Sequence, residues 1–130
     1  MAREKQKLPT KLEFTKRSDE LGNIIHNTTT NPIEYAIVLS TLELLVQLLK
    51  KNKAYGNAVF TAGLLAPDMD STAAIRIRLG DKIRRLNSLI GNPSVDNLGE
   101  SIKETVFDLT GYGSLWHVLL AYDIKPEDLT

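Results

Sequence analysis

The fold is decided by residues 99–120, GESIKETVFDLTGYGSLWHVLL. Glu100, Glu104 and Asp108 follow one another at intervals of four, so a helix at about 100° per residue places them within an arc of roughly 80°. Like charges at this spacing disfavour a helix by roughly 0.2–0.5 kcal/mol per pair unless positive charge lies between them. The spacing therefore predicts a positively charged partner, and a divalent cation is the simplest one.

The remainder of this predicted helix is apolar on two sides. The carboxylate side continues into Phe107, Gly111, Leu115 and Val118, and the opposite side holds Ile102, Val106, Leu109, Gly113, Trp116 and Leu120. A helix that is apolar on both sides is usually buried at the centre of a bundle. We therefore expect the carboxylates to open onto a cleft between helices. The alternative is a solvated face near a helix N-terminus, which also favours negative charge.

Composition limits the classes of function. The 130 residues suit one domain, which dimerisation would help to stabilise, and 16 basic residues balance 16 acidic ones. This balance indicates neither a membrane partner nor direct nucleic-acid binding. Without cysteine, disulfides and thiolate chemistry are excluded. No signal-peptide pattern and no uninterrupted apolar run of about 18 residues is present, so a cytoplasmic location is predicted.

A second helix is predicted from the Asn31-Pro32 pair. Asn31 suits the N-cap, Pro32 the first helical position, and Glu34 the acidic position of a capping box. Its polar stripe is narrow, so most of its circumference is expected to be covered; the stripe consists of Ala36, Ser40, Glu43, Gln47 and Lys50. Basic residues at its end, Lys50, Lys51 and Lys53, suit the negative pole of the helix dipole.

A third helix is predicted from a Ser71 cap to the Gly91-Asn92-Pro93 stop. Its expected buried stripe is Ile75, Leu79, Ile83, Leu86 and Ile90. Strand-like alternation is nearly absent. The chain is therefore predicted to be all-α, a bundle of about four to five helices. We expect residues 1–30 to form an arm or short helix that packs on the body or on a second subunit. Residues 31–123 are predicted to be the helical core domain, and residues 124–130 a tail.

The flank of the third helix has two interpretations. Arg78, Asp81, Lys82 and Arg85 lie three and four residues apart, as in an intrahelical salt-bridge ladder. Alternatively, Asp81 is a metal ligand, with Lys82 and Arg85 binding phosphate beside it. The turn at Tyr55-Gly56 likewise reads either as a C-cap or as the wall of a ligand pocket.

Three segments together resemble the nucleotide-modification-associated domain 1 family, which is common in phages. They are KKNKAYG (50–56), DKIRRLNSLI (81–90) and ESIKETVFDLTGY (100–112). Typical members show K-K-N-x-D-Y-G, D-K-x-x-R-L and E-S-x-x-D-T-L-x-D-L-x-x-Y in this order. The resemblance covers roughly residues 34–121.

That family is similar in layout to the all-α nucleoside triphosphate pyrophosphohydrolases of the MazG and dimeric dUTPase type. Those enzymes are helical bundles whose acidic side chains hold Mg²⁺ around a triphosphate, and a bound water releases pyrophosphate. The resemblance implies a MazG-like bundle that is a dimer or larger homo-oligomer, with a nucleotide ligand and Mg²⁺ or Mn²⁺. If the chain is phage-encoded, its location is the host cytoplasm.

The resemblance also implies roles for individual residues. The metal ligands would be Asp81, Glu100, Glu104 and Asp108, of which Glu104 and Asp108 would also be catalytic. The substrate-binding residues would be Lys82, Arg85, Tyr55, Gly56 and Tyr112.

The chain departs from these families at three points. Ala54 stands where the typical turn has Asp, Glu104 replaces an Asp, and the E-E-x-x-E cluster of the MazG type is missing. Three hypotheses follow. The first is a Mg²⁺-dependent (deoxy)nucleoside triphosphate pyrophosphohydrolase. The second is a non-catalytic nucleotide-binding, sequestering or accessory protein of nucleotide modification. The third is a purely structural helical dimer, in which Trp116 and the glycines of the central helix serve packing alone.

Overall fold

The computed structural model describes residues 4–54, 58–60, 68–92 and 101–129. These residues form four α-helices, which confirms the predicted all-α class. The helices are α1 (Lys11–Thr28), α2 (Pro32–Ala54), α3 (Ser71–Gly91) and α4 (Ile102–Ala121). Single 3₁₀ turns cover Ala58–Phe60 and Pro126–Leu129.

The N-terminal segment is tied to the C-terminal one. Strand β1 (Gln6–Lys7) pairs in parallel with strand β2 (Tyr122–Asp123), which directly follows α4. Two paired residues contribute few hydrogen bonds, but they fix where α1 begins relative to the end of α4. The region predicted as an arm or short helix thus contains an 18-residue helix anchored at its start.

The start of α2 forms as its sequence predicts. The Asn31 side-chain oxygen accepts from the backbone N–H of Glu34 at 3.0 Å. The Glu34 carboxylate in turn accepts from the backbone N–H and the hydroxyl of Thr30, both at 3.0 Å. These Thr30 hydrogen bonds lower the pKa of Glu34, because they favour its ionised form.

The start of α3 differs by one residue from the prediction. The cap is Asp70, whose side chain accepts from the backbone N–H of Ala73 at 2.7 Å, and Ser71 is the first helical residue. Both residue types suit an N-cap, and the structure has Asp70 in this position.

The buried stripe of α3 also differs from the prediction. Ile75 and Leu89 are fully buried, whereas Ile83 and Ile90 are 50% and 62% exposed. Positions spaced by four advance about 40° further than a whole turn at each step, so Ile83 rotates away from the line that begins at Ile75. Leu89 lies closer to that line and replaces Ile90 in the core.

Helices α3 and α4 form an antiparallel pair that contains the core. Lys82 contacts Asp108, and one turn earlier on α3, Arg78 contacts Tyr112 one turn later on α4. The buried Thr105 satisfies its hydroxyl by donating to the Ser101 carbonyl oxygen at 3.0 Å. This pair is the platform on which the polar side chains of the site are held.

Helix α2 is covered much less than its sequence predicts. None of the residues of α1 or α2, all of which the structure describes, is buried. One side of α2 faces α4 through Leu44, Leu48 and Lys51, and most of the remaining apolar side chains are exposed. The expectation that most of the circumference is covered is therefore wrong within a single chain.

By length and composition, α2 is the helix in the described part of the chain that could cross a membrane. Glu43 lies near its middle, and an acidic side chain at a bilayer centre costs roughly 2.5–3.5 kcal/mol on insertion scales. The cytoplasmic location remains a prediction.

Candidate functional site

Asp108 lies where α2, α3 and α4 meet. Its Oδ2 lies 3.0 Å from Lys82 Nζ on α3, and its Oδ1 lies 3.7 Å from Lys51 Nζ on α2. The side chains of Asp108 and Lys82 are each 25% exposed, so this ion pair is partly shielded from water. Two ammonium groups thus provide positive charge at the carboxylate for which the sequence predicts a positive partner.

A cation also lies beside each of two aromatic rings at this junction. Arg78 Nη1 donates a long hydrogen bond of 3.5 Å to the Tyr112 hydroxyl, and its guanidinium carbon is 6.0 Å from the ring centroid. Lys51 Nζ is 5.7 Å from the centroid of the Phe107 ring. These distances lie within the range of cation–π attraction. The rings therefore help to orient the cations.

These groups border a cavity of about 430 Å³ between α2, α3 and α4. Its walls combine aliphatic side chains, two aromatic rings and charged groups; they are Leu44, Leu48, Lys51, Asn52, Val59, Ala74, Ile75, Arg78, Phe107, Asp108, Gly111, Tyr112 and Leu115. A mostly apolar cavity of a few hundred cubic ångströms with a small number of convergent polar groups is typical of a small-molecule site.

A wider cleft of about 1090 Å³ lies beside this cavity, between α2 and the first turns of α4. Glu104 and Asp108 both line it, together with Lys51 and Lys82. The sequence placed the carboxylates in such a cleft, and these two lie there. Glu104 itself is exposed in the first turn of α4, where its backbone N–H donates to the Ser101 cap at 3.1 Å.

The other predicted acidic ligands do not join them in the described part of the chain. Asp81 is 61% exposed and pairs at 3.5 Å with Arg84, a residue of its own helix that was not among those of the predicted ladder. Helix α4 begins at Ile102 with Ser101 as its cap, two residues after Glu100, with which the predicted ladder starts. Glu100 lies outside the described residues.

The predicted substrate-binding residues do not all lie at one place in the structure. Lys82 and Tyr112 border the cleft and the cavity respectively. Arg85 is half-buried on α3, one turn after Lys82. Tyr55 and Gly56 lie outside the described residues.

Among the described residues, no group of three or more His, Asp or Glu side chains lies close enough to hold one metal ion. Both oxygens of Asp108 face ammonium groups, and Glu104 is the one predicted ligand beside it in the cleft. These residues alone do not fit a Mg²⁺ or Mn²⁺ site. A metal site built from the predicted ligands would therefore also need Glu100, which lies outside the described residues.

Three cavity residues that carry the proposed chemistry were not predicted as site residues: Lys51, Arg78 and Phe107. Lys51 was assigned to the helix dipole, Arg78 to a salt-bridge ladder, and Phe107 to packing. One signal for Arg78 was available: it precedes Lys82 by one helical turn, as Asp108 precedes Tyr112. In an antiparallel helix pair, two such intervals place the four side chains opposite one another.

No protein-family model matches this chain, and the searches of curated proteins and of solved structures find no match. The family resemblance of the three segments therefore remains a prediction.

Proposed function

We propose that the cavity between α2, α3 and α4 binds a nucleotide, with the base or sugar against its apolar and aromatic walls and the phosphates at its cationic edge. The observation that carries this proposal is the composition of one cavity, which brings Lys51 and Arg78 together with Phe107 and Tyr112. The resemblance of the three segments to a nucleotide-associated family supports the same ligand class.

The charge of the site favours an anion. Lys51, Lys82 and Arg78 provide three positive charges around the single negative charge of Asp108. Lys51 and Arg78 outnumber Asp108 among the charged residues that line the cavity, so its edge attracts phosphate, and guanidinium groups bind phosphate oxygens in pairs. Asp108 pairs with Lys51 and Lys82 before the ligand arrives, and its negative charge offsets part of this attraction.

The walls of the cavity suit the uncharged part of a nucleotide. Leu44, Leu48 and Leu115 provide aliphatic surface, and the Phe107 and Tyr112 rings provide flat faces. A flat heterocycle gains both apolar burial and stacking against aromatic rings, about 1–3 kcal/mol per base by alanine substitution in other proteins. Phosphate alone would leave this surface exposed to water, so the nucleotide should bind more tightly than inorganic phosphate.

Titration calorimetry of the full chain tests the proposal, with each nucleoside mono- and triphosphate in the presence of EDTA. We expect binding that survives EDTA and that Arg78→Met weakens about tenfold, which corresponds to about 1.4 kcal/mol. Arg76→Met is the matched control, because Arg76 is an exposed arginine of the same helix and does not line the described cavity. Equal loss in both variants, or no binding in the parent chain, would refute this site.

Hydrolysis of a triphosphate is the second candidate. The observation that favours it is that Glu104 and Asp108 line one cleft together with Lys51 and Lys82. Incubation of the chain with each dNTP and Mg²⁺, followed by a pyrophosphate assay, separates the two functions. Release that Glu104→Gln abolishes supports the hydrolase, and binding without release supports the nucleotide-binding protein.

A further inference from the structure

Helix α2 exposes a continuous line of apolar side chains. Its members are between 45% and 59% exposed; they are Tyr35, Leu39, Leu42, Val46 and Leu49. They lie within an arc of about 80° and roughly opposite Leu44 and Leu48, which face the cavity. We call these five residues the α2 seam.

The spacing of the α2 seam is that of a helix–helix interface. From Tyr35 to Leu49 the intervals are four, three, four and three, which is the 3.5-residue repeat of a coiled-coil seam. Glu43 and Lys50 lie along one edge of the seam with opposite charges, as flanking positions of such interfaces do. A helix with this repeat packs best against another helix whose apolar residues have the same spacing.

The surface area of the chain indicates how much is left to be covered. Its solvent-accessible surface is 10441 Å². A compact monomer of 14.5 kDa exposes about 6,900 Å², so the excess is about 3,500 Å². Each subunit of an obligate homodimer buries about 1,000–2,500 Å². One chain thus has enough excess surface for a large obligate interface.

We infer that the α2 seam packs against the α2 seam of a second copy of this chain. A two-fold axis brings the same surface of each copy together, so a single self-complementary seam is sufficient. The second copy also brings the same 3.5-residue spacing and the same pair of opposite charges. This inference is independent of the nucleotide site, since the seam lies on the other side of α2 from the cavity.

A lipid surface fits the seam less well. The polar stripe that includes Glu43, Gln47 and Lys50 borders the seam along its whole C-terminal half. A bilayer that covered the exposed apolar residues on all sides of α2 would also surround this stripe. A second helix covers the seam and leaves the stripe in water.

Sedimentation velocity of the full chain tests the inference. We expect the parent chain to sediment as a dimer or a larger even assembly, and Leu42→Glu to sediment as a smaller species. The matched control is Gln47→Glu, which adds the same charge to the polar stripe of the same helix and should leave the assembly intact. A monomeric parent chain, or equal dissociation in both variants, would overturn the inference.

Two additional measurements cover the remaining outcomes. If Leu42→Glu loses its helical circular dichroism signal, Leu42→Ala is the variant that tests the seam. It should raise the dissociation constant of the assembly about tenfold, whereas Gln47→Ala should leave this constant unchanged.

Flotation with vesicles of phosphatidylcholine and phosphatidylglycerol tests the lipid alternative. A parent chain that floats with the vesicles as a monomer contradicts the inference, and one that stays at the bottom as a dimer supports it.

Discussion

The Asp108 carboxylate on α4 lies close to two ammonium groups from other helices, that of Lys51 on α2 and that of Lys82 on α3. Because the side chains of Lys82 and Asp108 are each only 25% exposed, their ion pair should contribute more to stability than a surface ion pair, and it links α3 to α4 beside the cavity. This carboxylate therefore has a structural role that does not depend on any metal.

Asp108→Asn separates this role from metal binding. We expect a loss of about 1 kcal/mol in the free energy of unfolding, because both ammonium groups lose a charged acceptor. Nucleotide affinity in EDTA should rise, since the substitution removes the negative charge nearest to the phosphate-binding edge. Urea unfolding and calorimetry measure the two effects.

Asp81→Asn is the control, because Asp81 is exposed and pairs only within its own helix turn in the described contacts. It should change the free energy of unfolding by less than about 0.5 kcal/mol. A loss of nucleotide binding in Asp108→Asn would contradict our assignment, since it would show that the carboxylate itself is required by the ligand.

Glu34 gives a pH dependence with a defined sign. The Thr30 hydrogen bonds lower the pKa of Glu34 from its ordinary value of 4.5. A carboxyl group with a lowered pKa in the folded state stabilises the fold above its unfolded pKa and loses this contribution as the pH falls through the folded pKa. Glu34→Gln should therefore be less stable than the parent chain at neutral pH, and the difference should disappear with acidification below 4.5. Thermal unfolding measured from neutral to acidic pH checks this, and a difference independent of pH would contradict it.

At the scale of the helical element, α4 contains two glycines with different surroundings. A methyl group at Gly111, which is buried, would lie 3.7 Å from Leu48 Cδ1, an ordinary contact. At Gly113 nothing in the described part of the chain lies within 4 Å of the added methyl group. Neither position therefore requires a close helix crossing.

The two alanine substitutions should therefore differ in binding and not in stability. Gly113→Ala should stabilise the chain by about 1 kcal/mol through helix propensity, with nucleotide affinity unchanged. Gly111→Ala should gain similar stability but weaken nucleotide binding, because its methyl group enters the cavity. Urea unfolding and calorimetry check both variants, and a large destabilisation by Gly111→Ala would show that α2 and α4 pack more closely than described.

The helices were predictable because their signals are local. The Asn31, Pro32 and Glu34 start of α2 forms as expected, and the boundaries of α3 are within one residue. At α4 the prediction overlooked that Ser101 and Glu104 have capping-box spacing, which places the start after Glu100. The buried side of α3 was less predictable, because it depends on where α4 crosses it.

At the scale of the whole molecule, the site was only partly predictable from the sequence. The ladder of carboxylates indicated a positive partner, but the identity of that partner depends on contacts between distant residues such as Lys51 and Asp108. An apolar helix such as α2 is read from sequence as a core element, because periodicity does not reveal whether its cover comes from the same chain.

The exposed apolar surface leads to a prediction about stability. If folding is coupled to assembly through the α2 seam, each tenfold rise in protein concentration should add about 1.4 kcal/mol to the free energy of unfolding per mole of dimer. Urea unfolding at several protein concentrations measures this dependence. Leu42→Glu should abolish it, and a parent chain whose unfolding midpoint is independent of concentration would contradict the coupling.

The short β1–β2 ladder has a consequence for how binding and assembly influence one another. It fixes the start of α1 beside the end of α4, while Lys51 fixes the end of α2 at Asp108. The chain between these two anchors contains both helices without a buried residue, including the α2 seam. If α2 shifts on contact with another copy, the Lys51 ammonium group at the cavity moves with it. Thermodynamic reciprocity then requires that any effect of subunit association on nucleotide affinity is matched by an equal effect of the nucleotide on subunit association.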